Sequence, residues 1–123
     1  MRVRIDHGSG VPESEQLRRK VAGLIERGTL APGERLPPVR ALAEQLGLAV
    51  NTVAKAYREL EVAGSLVARG RLGTFVADTL PVPPSAAEGL LAEAAEIFAR
   101  RARQLGFERS EALEHARRAL GAR

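Results

Sequence analysis

The sequence contains no cysteine and no tryptophan, and aromatic residues make up only 3% of its 123 positions. Without cysteine, a disulfide framework and a zinc site built on thiolates are both excluded. The two histidines, His7 and His115, are far apart in the sequence, so we expect no metal site. The chain also lacks a run of about 20 apolar residues, which a membrane-spanning helix needs. Its start, MRVRIDHGSG, lacks the apolar core of a secretory signal, and we therefore predict a soluble, cytoplasmic protein without a membrane partner.

Residue patterns typical of an enzyme are scarce as well. There is no cysteine nucleophile, and the short segment GRLG is not a glycine run that could hold a phosphate. We therefore predict no catalytic residues and no cofactor. The formal net charge is +4, which is compatible with a nucleic-acid partner, although an arginine-rich chain can also reflect a GC-rich genome.

Apolar residues at helical spacing predict three helices in the first half of the chain. The first covers residues 13–27. The connector GTLAPGERLPP follows, and its prolines and glycines argue against regular structure. A short second helix covers residues 39–46 and ends at Gly47, and a third covers about residues 50–63. The buried stripe of the third helix is predicted to be Val53, Ala56, Tyr57 and Leu60.

Beyond the third helix the apolar pattern changes its period. Residues 66–68 and 74–77 are β-like runs around the segment RGRLG, which predicts a hairpin with a glycine-containing tip. The later segment DTLPVPPS, with three prolines in eight residues, is typical of a stiff linker. The segment SAAE, which begins at Ser85, matches a capping box. It predicts the start of a long helix that ends near Leu105, before a last helix.

These elements predict three regions: a domain over residues 1–78, a proline-rich linker over residues 79–84 and a helical tail over residues 85–123. The order helix, helix, turn, helix, hairpin is that of a winged helix-turn-helix. The fold class expected is therefore mainly α with a small β-hairpin. The spacing of Ala43, Gly47 and Val53 supports it, since a small residue suits a close helix crossing and glycine suits a tight turn.

The residues at the start of the third helix are candidates for reading DNA bases. In a helix-turn-helix, the second helix of the pair lies in the major groove with its first residues facing base edges. Asn51 and Thr52 can hydrogen-bond to base edges, and Lys55 and Arg58 suit phosphate or guanine. An alternative for Asn51 is that it only caps the helix, because asparagine is a favoured cap residue.

Cations outside the third helix extend this candidate surface. Arg40, in the first turn of the second helix, is expected to contact phosphate or guanine. The hairpin tip carries Arg69, Gly70 and Arg71, which can reach phosphates or enter an adjacent minor groove. The alternative for the tip is a solvated turn that uses arginine for solubility.

The segment from GTLAPGERLPPVRALAEQLG to NTVAKAYREL and GTFV resembles the DNA-binding domain of GntR-family transcription regulators. The resemblance covers roughly residues 12–76. It implies a winged helix-turn-helix in which Arg40, Asn51, Thr52, Arg69 and Gly70 match positions where the family contacts DNA. The sequence departs from the family pattern where Pro38 replaces serine, Val50 replaces proline or arginine, and Arg71 and Leu72 replace a glycine-containing pattern.

The short region after the hairpin resembles that of the small YtrA-like subfamily, which implies a tail of two helices that forms a dimer. The last helix, through Leu113, Ala116 and Leu120, is expected to cover part of an apolar stripe on the long helix. The alternative is that the tail packs onto the winged domain. The expected dimer interface consists of Leu91, Ala94, Phe98, Ala102, Leu105 and Leu113.

The function expected from these patterns is that of a sequence-specific, homodimeric transcription regulator that binds double-stranded operator DNA. The resemblance further implies a repressor of an operon such as one for an ABC transporter. A small-molecule effector that binds between the tail helices is left open. The alternative is a winged-helix architectural or protein-interaction module without promoter specificity.

Overall fold

The structure, a computed structural model, describes residues 1–121 of the 123. They form two separately packed units, Met1–Val82 and a second that begins at Pro83. The first unit contains three helices and a two-stranded hairpin, and the second contains two helices. This architecture confirms the predicted fold class. Across residues 1–121, no helix combines the length and the apolar character needed to span a membrane.

The three helices of the first unit are α1 (Glu13–Glu26), α2 (Val39–Leu46) and α3 (Val50–Val62). Each turns one apolar stripe inward, as the helical spacing of its apolar residues requires. The predicted stripe of α3 is confirmed, because all four of its residues are buried. The core consists mainly of Leu17, Val21 and Ile25 from α1, Leu42 and Ala43 from α2, and Val53, Ala56, Tyr57 and Leu60 from α3.

The hairpin consists of β1 (Leu66–Ala68) and β2 (Thr74–Val76), which pair antiparallel with Val67 opposite Phe75. The connector before α2 pairs with the other edge of β2. The Leu36 amide donates to the Thr74 carbonyl at 2.8 Å, and the Val76 amide donates to the Glu34 carbonyl at 2.8 Å. The expectation that the connector lacks regular structure is therefore wrong at this point, since extended backbone there completes the hairpin.

An extended segment at the amino terminus, which was not predicted, packs against the core of the first unit. Met1, Val3 and Ile5 are partly buried against the core, and they alternate with exposed residues. The buried Gln16 side chain holds the end of this segment. Its oxygen accepts from the Asp6 amide at 2.8 Å, and its nitrogen donates to the Asp6 and Val11 carbonyls, each at 2.9 Å.

The second unit consists of α4 (Pro84–Gln104) and α5 (Arg109–Ala119). The capping box predicted at Ser85 is wrong, because α4 begins one residue earlier at Pro84 and Ser85 lies inside its first turn. Proline suits a first helical turn, since its φ is preset and its missing N–H has no helical partner there. A capping box does occur at α5, between Glu108 and Glu111.

Candidate nucleic-acid interface

A tight turn at Gly47 joins α2 to α3 and sets the angle between them. Gly47 has a φ of 67°, a left-handed conformation that strongly favours glycine. The turn is closed by the Leu48 amide, which donates to the Ala43 carbonyl at 2.9 Å. Leu48 and Ala43 are both buried at this corner. The predicted helix-turn-helix is therefore present, and its geometry follows from one glycine and one small residue.

The first two and a half turns of α3 present polar and basic side chains outward. Asn51, Lys55 and Arg58 are exposed, and Thr52 is partly exposed. The opposite side of α3 is buried, so this helix is anchored along one face and free along the other. The sequence placed these four residues on the outward side of the helix, and the structure places them there.

The structure decides the alternative role of Asn51. The N-cap of α3 is Ala49, and the helix begins at Val50, which makes Asn51 the second helical residue. A cap side chain must belong to the residue before the first helical position. The hypothesis that Asn51 caps α3 is therefore wrong, and its amide is available for other partners.

Two features beside Asn51 were missed by the sequence analysis. Val50, the first residue of α3, is 41% exposed and adds an apolar group to this end of the helix. The start of α1 also lies here, since Pro12, Glu13 and Ser14 line a shallow depression together with Asn51, Thr52 and Lys55. The imidazole of His7 contacts the Glu13 carboxylate at this edge. Only tertiary structure brings these two helix starts together, so no local pattern could have predicted it.

Arg40 is the second residue of α2, and its side chain is exposed. Pro38 is the N-cap of α2 and accepts the Leu42 amide through its carbonyl at 3.0 Å. The serine common at this family position could offer a hydroxyl, whereas proline offers none. Arg40 is consequently the polar side chain that the first turn of α2 presents.

The hairpin, here called the wing, ends in one turn of 3-10 helix, Gly70–Leu72. Gly70 has a φ of 57° and is exposed. Arg69 and Arg71 are exposed on either side of it, and the Arg69 Cζ lies 5.2 Å from the centroid of the Phe75 ring. The Arg69 guanidinium therefore lies over the wing through a cation–π contact, while Arg71 extends from the tip.

The candidate surface is basic. It carries five exposed cations, none of which forms an ion pair with a carboxylate within residues 1–121. These cations are Arg40, Lys55, Arg58, Arg69 and Arg71. Unpaired cations of this kind attract a polyanion, and the arrangement of helices and wing defines a winged helix-turn-helix, a class of DNA-binding protein.

A comparison with protein families identifies the chain more closely. Residues 13–76 match the model of the family described as "Bacterial regulatory proteins, gntR family", which is more than half of the 123 residues. The chain belongs to the GntR family. It is a DNA-binding transcription regulator, and not an enzyme.

Some of the similar proteins match this chain beyond its DNA-binding domain. The chain is 44% identical over 113 residues to the HTH-type transcriptional regulator Rv1152 of Mycobacterium tuberculosis, a match that covers 92% of this chain and 89% of that protein. It is 40% identical over 77 residues to the HTH-type transcriptional repressor YtrA of Bacillus subtilis, covering 62% and 58%. The solved structure of YtrA from Sulfolobus acidocaldarius, a GntR-family transcription factor, superposes with a TM-score of 0.58 at 29% identity and covers 96% of each chain.

The tail helices expose the apolar residues that the sequence predicted for a dimer interface. Leu91 on α4 is 73% exposed, and Leu105, the C-cap residue of α4, is 58% exposed. Phe98, Ala94 and Leu113 are exposed too, and Ala102 is partly exposed. Leu120 is also exposed, so Leu113 and Leu120 do not take part in the cover expected for part of the α4 stripe, whereas Ala116, the third residue of that expectation, is partly buried.

The turn before α5 and one side of α5 lie near the carboxyl-terminal end of α4. Phe107, in the turn before α5, and Ala112 and His115 on α5 line a cavity of about 300 Å³ together with Phe98, Arg101, Ala102 and Leu105. The Phe107 and His115 rings meet edge to face with centroids 5.3 Å apart. The turn residue Phe107 was missed because it lies outside both helical stripes.

Proposed function

We propose that this chain regulates transcription by binding an operator with the first two turns of α3 in the major groove. The observation that carries the proposal is the arrangement of α3, whose outward face offers Asn51, Thr52 and Lys55 while its inward face is locked in the core. An amide that both donates and accepts matches adenine, and a lysine matches guanine or phosphate. Arg58, one turn further along, suits the sugar–phosphate backbone.

Val50 adds a contact of a different kind. An exposed apolar side chain at the first position of the helix suits the methyl group of thymine, the apolar mark of the major groove. In this proposal, hydrogen bonds from Asn51 and the methyl contact from Val50 together select the bases. Residues that touch only phosphate set the orientation of the helix on the duplex.

Phosphate contacts come from two further places in the first unit. Arg40 at the start of α2 holds the strand beside α3, which is the position where the first helix of such a pair crosses the backbone. Arg69 and Arg71 act from the wing, and the Gly70 backbone allows a close approach to the duplex. Each such contact releases counterions and makes binding sensitive to salt.

The tail is proposed to join two copies into a homodimer. Leu91 and Phe98 on α4 and Leu105 at its C-cap follow one another at seven-residue intervals, a spacing that repeats on one side of a helix. A monomer would leave this stripe in water, whereas a second copy would cover it and bring two α3 helices to one duplex. Two half-sites about one helical turn apart then explain how a short recognition helix reaches useful affinity.

Repression is the direction we propose for the regulation. A dimer bound across an operator excludes other proteins from the same duplex, and a relative that is 40% identical carries the name of a repressor. The proposal includes the target that the family resemblance implies, an operon such as one for an ABC transporter. Bacterial promoters lie in the cytoplasm, so a regulator of this kind acts there.

Footprinting on the promoter region of the protein's own gene tests DNA recognition, with unrelated duplex as competitor. The expected result is a discrete protected site with two-fold symmetric half-sites. Uniform, sequence-independent protection would instead favour an architectural module. Transcription from the same fragment in a purified system tests the direction, and the proposal expects transcript to fall as the protected site fills.

A further inference from the structure

The wing tip carries one large apolar side chain, that of Leu72. It is 67% exposed, and it lies between Arg71 and Gly73. A single exposed leucine on a protein surface ordinarily needs no explanation. Leu72, however, lies in the turn that is proposed to contact DNA. The sequence also departs from the family pattern at this position.

The side chains around the tip are divided between two directions. The Arg69 guanidinium is held over the Phe75 ring, so it points back along the wing. Arg71 and Leu72 are left as the side chains that extend from the 3-10 turn. The leading edge of the wing is therefore one cation beside one apolar group.

Hydrogen bonds close the backbone of the tip into a turn. The Arg69 amide donates to the Gly73 carbonyl at 2.8 Å, and the Leu72 amide donates to the Arg69 carbonyl at 3.1 Å. Gly73 has a φ of 109°, and a Cβ there would lie 2.8 Å from the Arg35 Nε. Because these hydrogen bonds hold the turn, the backbone at Leu72 is already in place, and less ordering entropy is lost on binding than for an open loop.

We infer that Leu72 is a minor-groove wedge, which enters the groove beside the half-site read by α3 and partly unstacks one base step. The inference rests on the proposed function, because it needs the wing to lie against the duplex. Apolar side chains of this size are used by minor-groove proteins to open a step and bend the duplex. Arg71 is attracted by the negative potential of the same groove and holds the wedge in place.

The chemistry of the wedge selects a class of DNA sequence. Pyrimidine–purine steps such as TA and CA are the easiest to unstack, so the operator should carry one under each wing. Leu72 makes no hydrogen bond to a base edge. Its selectivity arises from the deformation energy of the step, and it adds to the direct readout by α3.

Binding measurements on the full-length protein test the wedge. The probe is a duplex that the wild-type protein selects from a random library. Leu72→Ala should weaken binding about tenfold, as expected for loss of most of a buried leucine side chain, while the salt dependence stays unchanged. Arg71→Ala should reduce the salt slope by about one. Val62→Ala, at an exposed apolar residue near the end of α3, is the matched control and should bind as wild type.

The shape of the bound duplex provides the second readout. A 2-aminopurine at the step under the wing should brighten when wild-type protein binds, and circular permutation should show a bend. Both signals should fall with Leu72→Ala at saturating protein. Wild-type affinity, an equal bend or equal fluorescence for Leu72→Ala would overturn the wedge and leave operator recognition standing. Failure of the wild type to select any sequence would overturn the proposed function and the wedge together.

Discussion

The hydroxyl group of Tyr57 on α3 donates a 2.7 Å hydrogen bond to the carbonyl oxygen of Pro37. Pro37 lies just before α2, so the bond links the recognition helix to the segment from which its partner helix starts. The Tyr57 side chain is buried, and a buried hydrogen bond shielded from water holds its geometry well. The angle between the two helices is therefore fixed at Gly47 and again at this second point.

Removal of this hydroxyl should destabilise the first unit. Tyr57→Phe leaves the Pro37 carbonyl without its partner and should lower the free energy of unfolding by about 1 kcal/mol. Urea denaturation followed by circular dichroism measures the change. Arg58→Ala, at the exposed neighbouring position, is the control and should stay within about 0.5 kcal/mol of wild type. Equal midpoints for Tyr57→Phe and wild type would contradict the assigned bond strength.

Burial of the Tyr57 phenol should make the stability of the first unit depend on pH in the alkaline range. It raises the pKa of Tyr57 from 10.0 to about 12. Between these values the unfolded chain has lost the phenolic proton while the folded chain keeps it, so stability falls as pH rises. Below pH 10 both states are protonated and the effect is absent. Denaturation of wild type against Tyr57→Phe from about pH 10 to 12 isolates it, because a phenylalanine side chain has no proton to lose.

Asn51→Ala tests the base-reading role. The change removes a group that donates and accepts, so we expect the protein to lose preference between base pairs at one operator position, by about 1–3 kcal/mol. Binding to a set of operators that differ at single positions measures this preference. An unaltered ranking of those operators would show that Asn51 does not read a base.

Lys55→Ala tests for a phosphate contact at the residue one turn after Asn51 on α3. If Lys55 contacts phosphate, the loss should weaken binding to every operator similarly and lower the salt slope by about one. A fluorescence titration over a range of salt concentrations gives the slope. A change confined to some operators, with the wild-type slope, would assign Lys55 to a base.

Phe98→Asp tests the tail as the dimer interface. A carboxylate in the middle of the apolar stripe of α4 should not be buried against a second copy, since an unpaired buried charge is costly. We expect a folded monomer in sedimentation measurements at concentrations where wild type is dimeric. Ile97→Asp, at an exposed apolar residue off the stripe, is the matched control and should remain dimeric. A dimeric Phe98→Asp protein would remove the tail from the interface.

Local patterns in the sequence were enough for the helices of the first unit. The buried stripe of α3 follows from apolar residues at helical spacing, and the turn before it follows from Gly47, whose φ of 67° few other residues adopt. The start of α4 was predicted two residues too late, because a cap at Ser85 would begin the helix at Ala86, whereas it begins at Pro84. The sequence at Ser85 matches a capping box, but the helix begins at Pro84 without a side-chain cap.

Other features depend on contacts between distant parts of the chain, which local patterns do not encode. The amino-terminal segment is held by the Gln16 side chain, and one glutamine in a helix gives no sign of what it binds. The depression between Ser14 and Asn51 needs two helix starts to meet in space. The direction of the Arg69 side chain depends on Phe75, across the hairpin.

Gly73 limits how the wing can change during evolution or engineering. A side chain there would displace the guanidinium of Arg35, and the positive φ of 109° disfavours every residue except glycine. The turn thus tolerates variation at Arg69, Arg71 and Leu72 while its frame stays constant. Randomising only those three codons would give a library in which most members still fold, a route to retargeting the regulator without rebuilding its recognition helix.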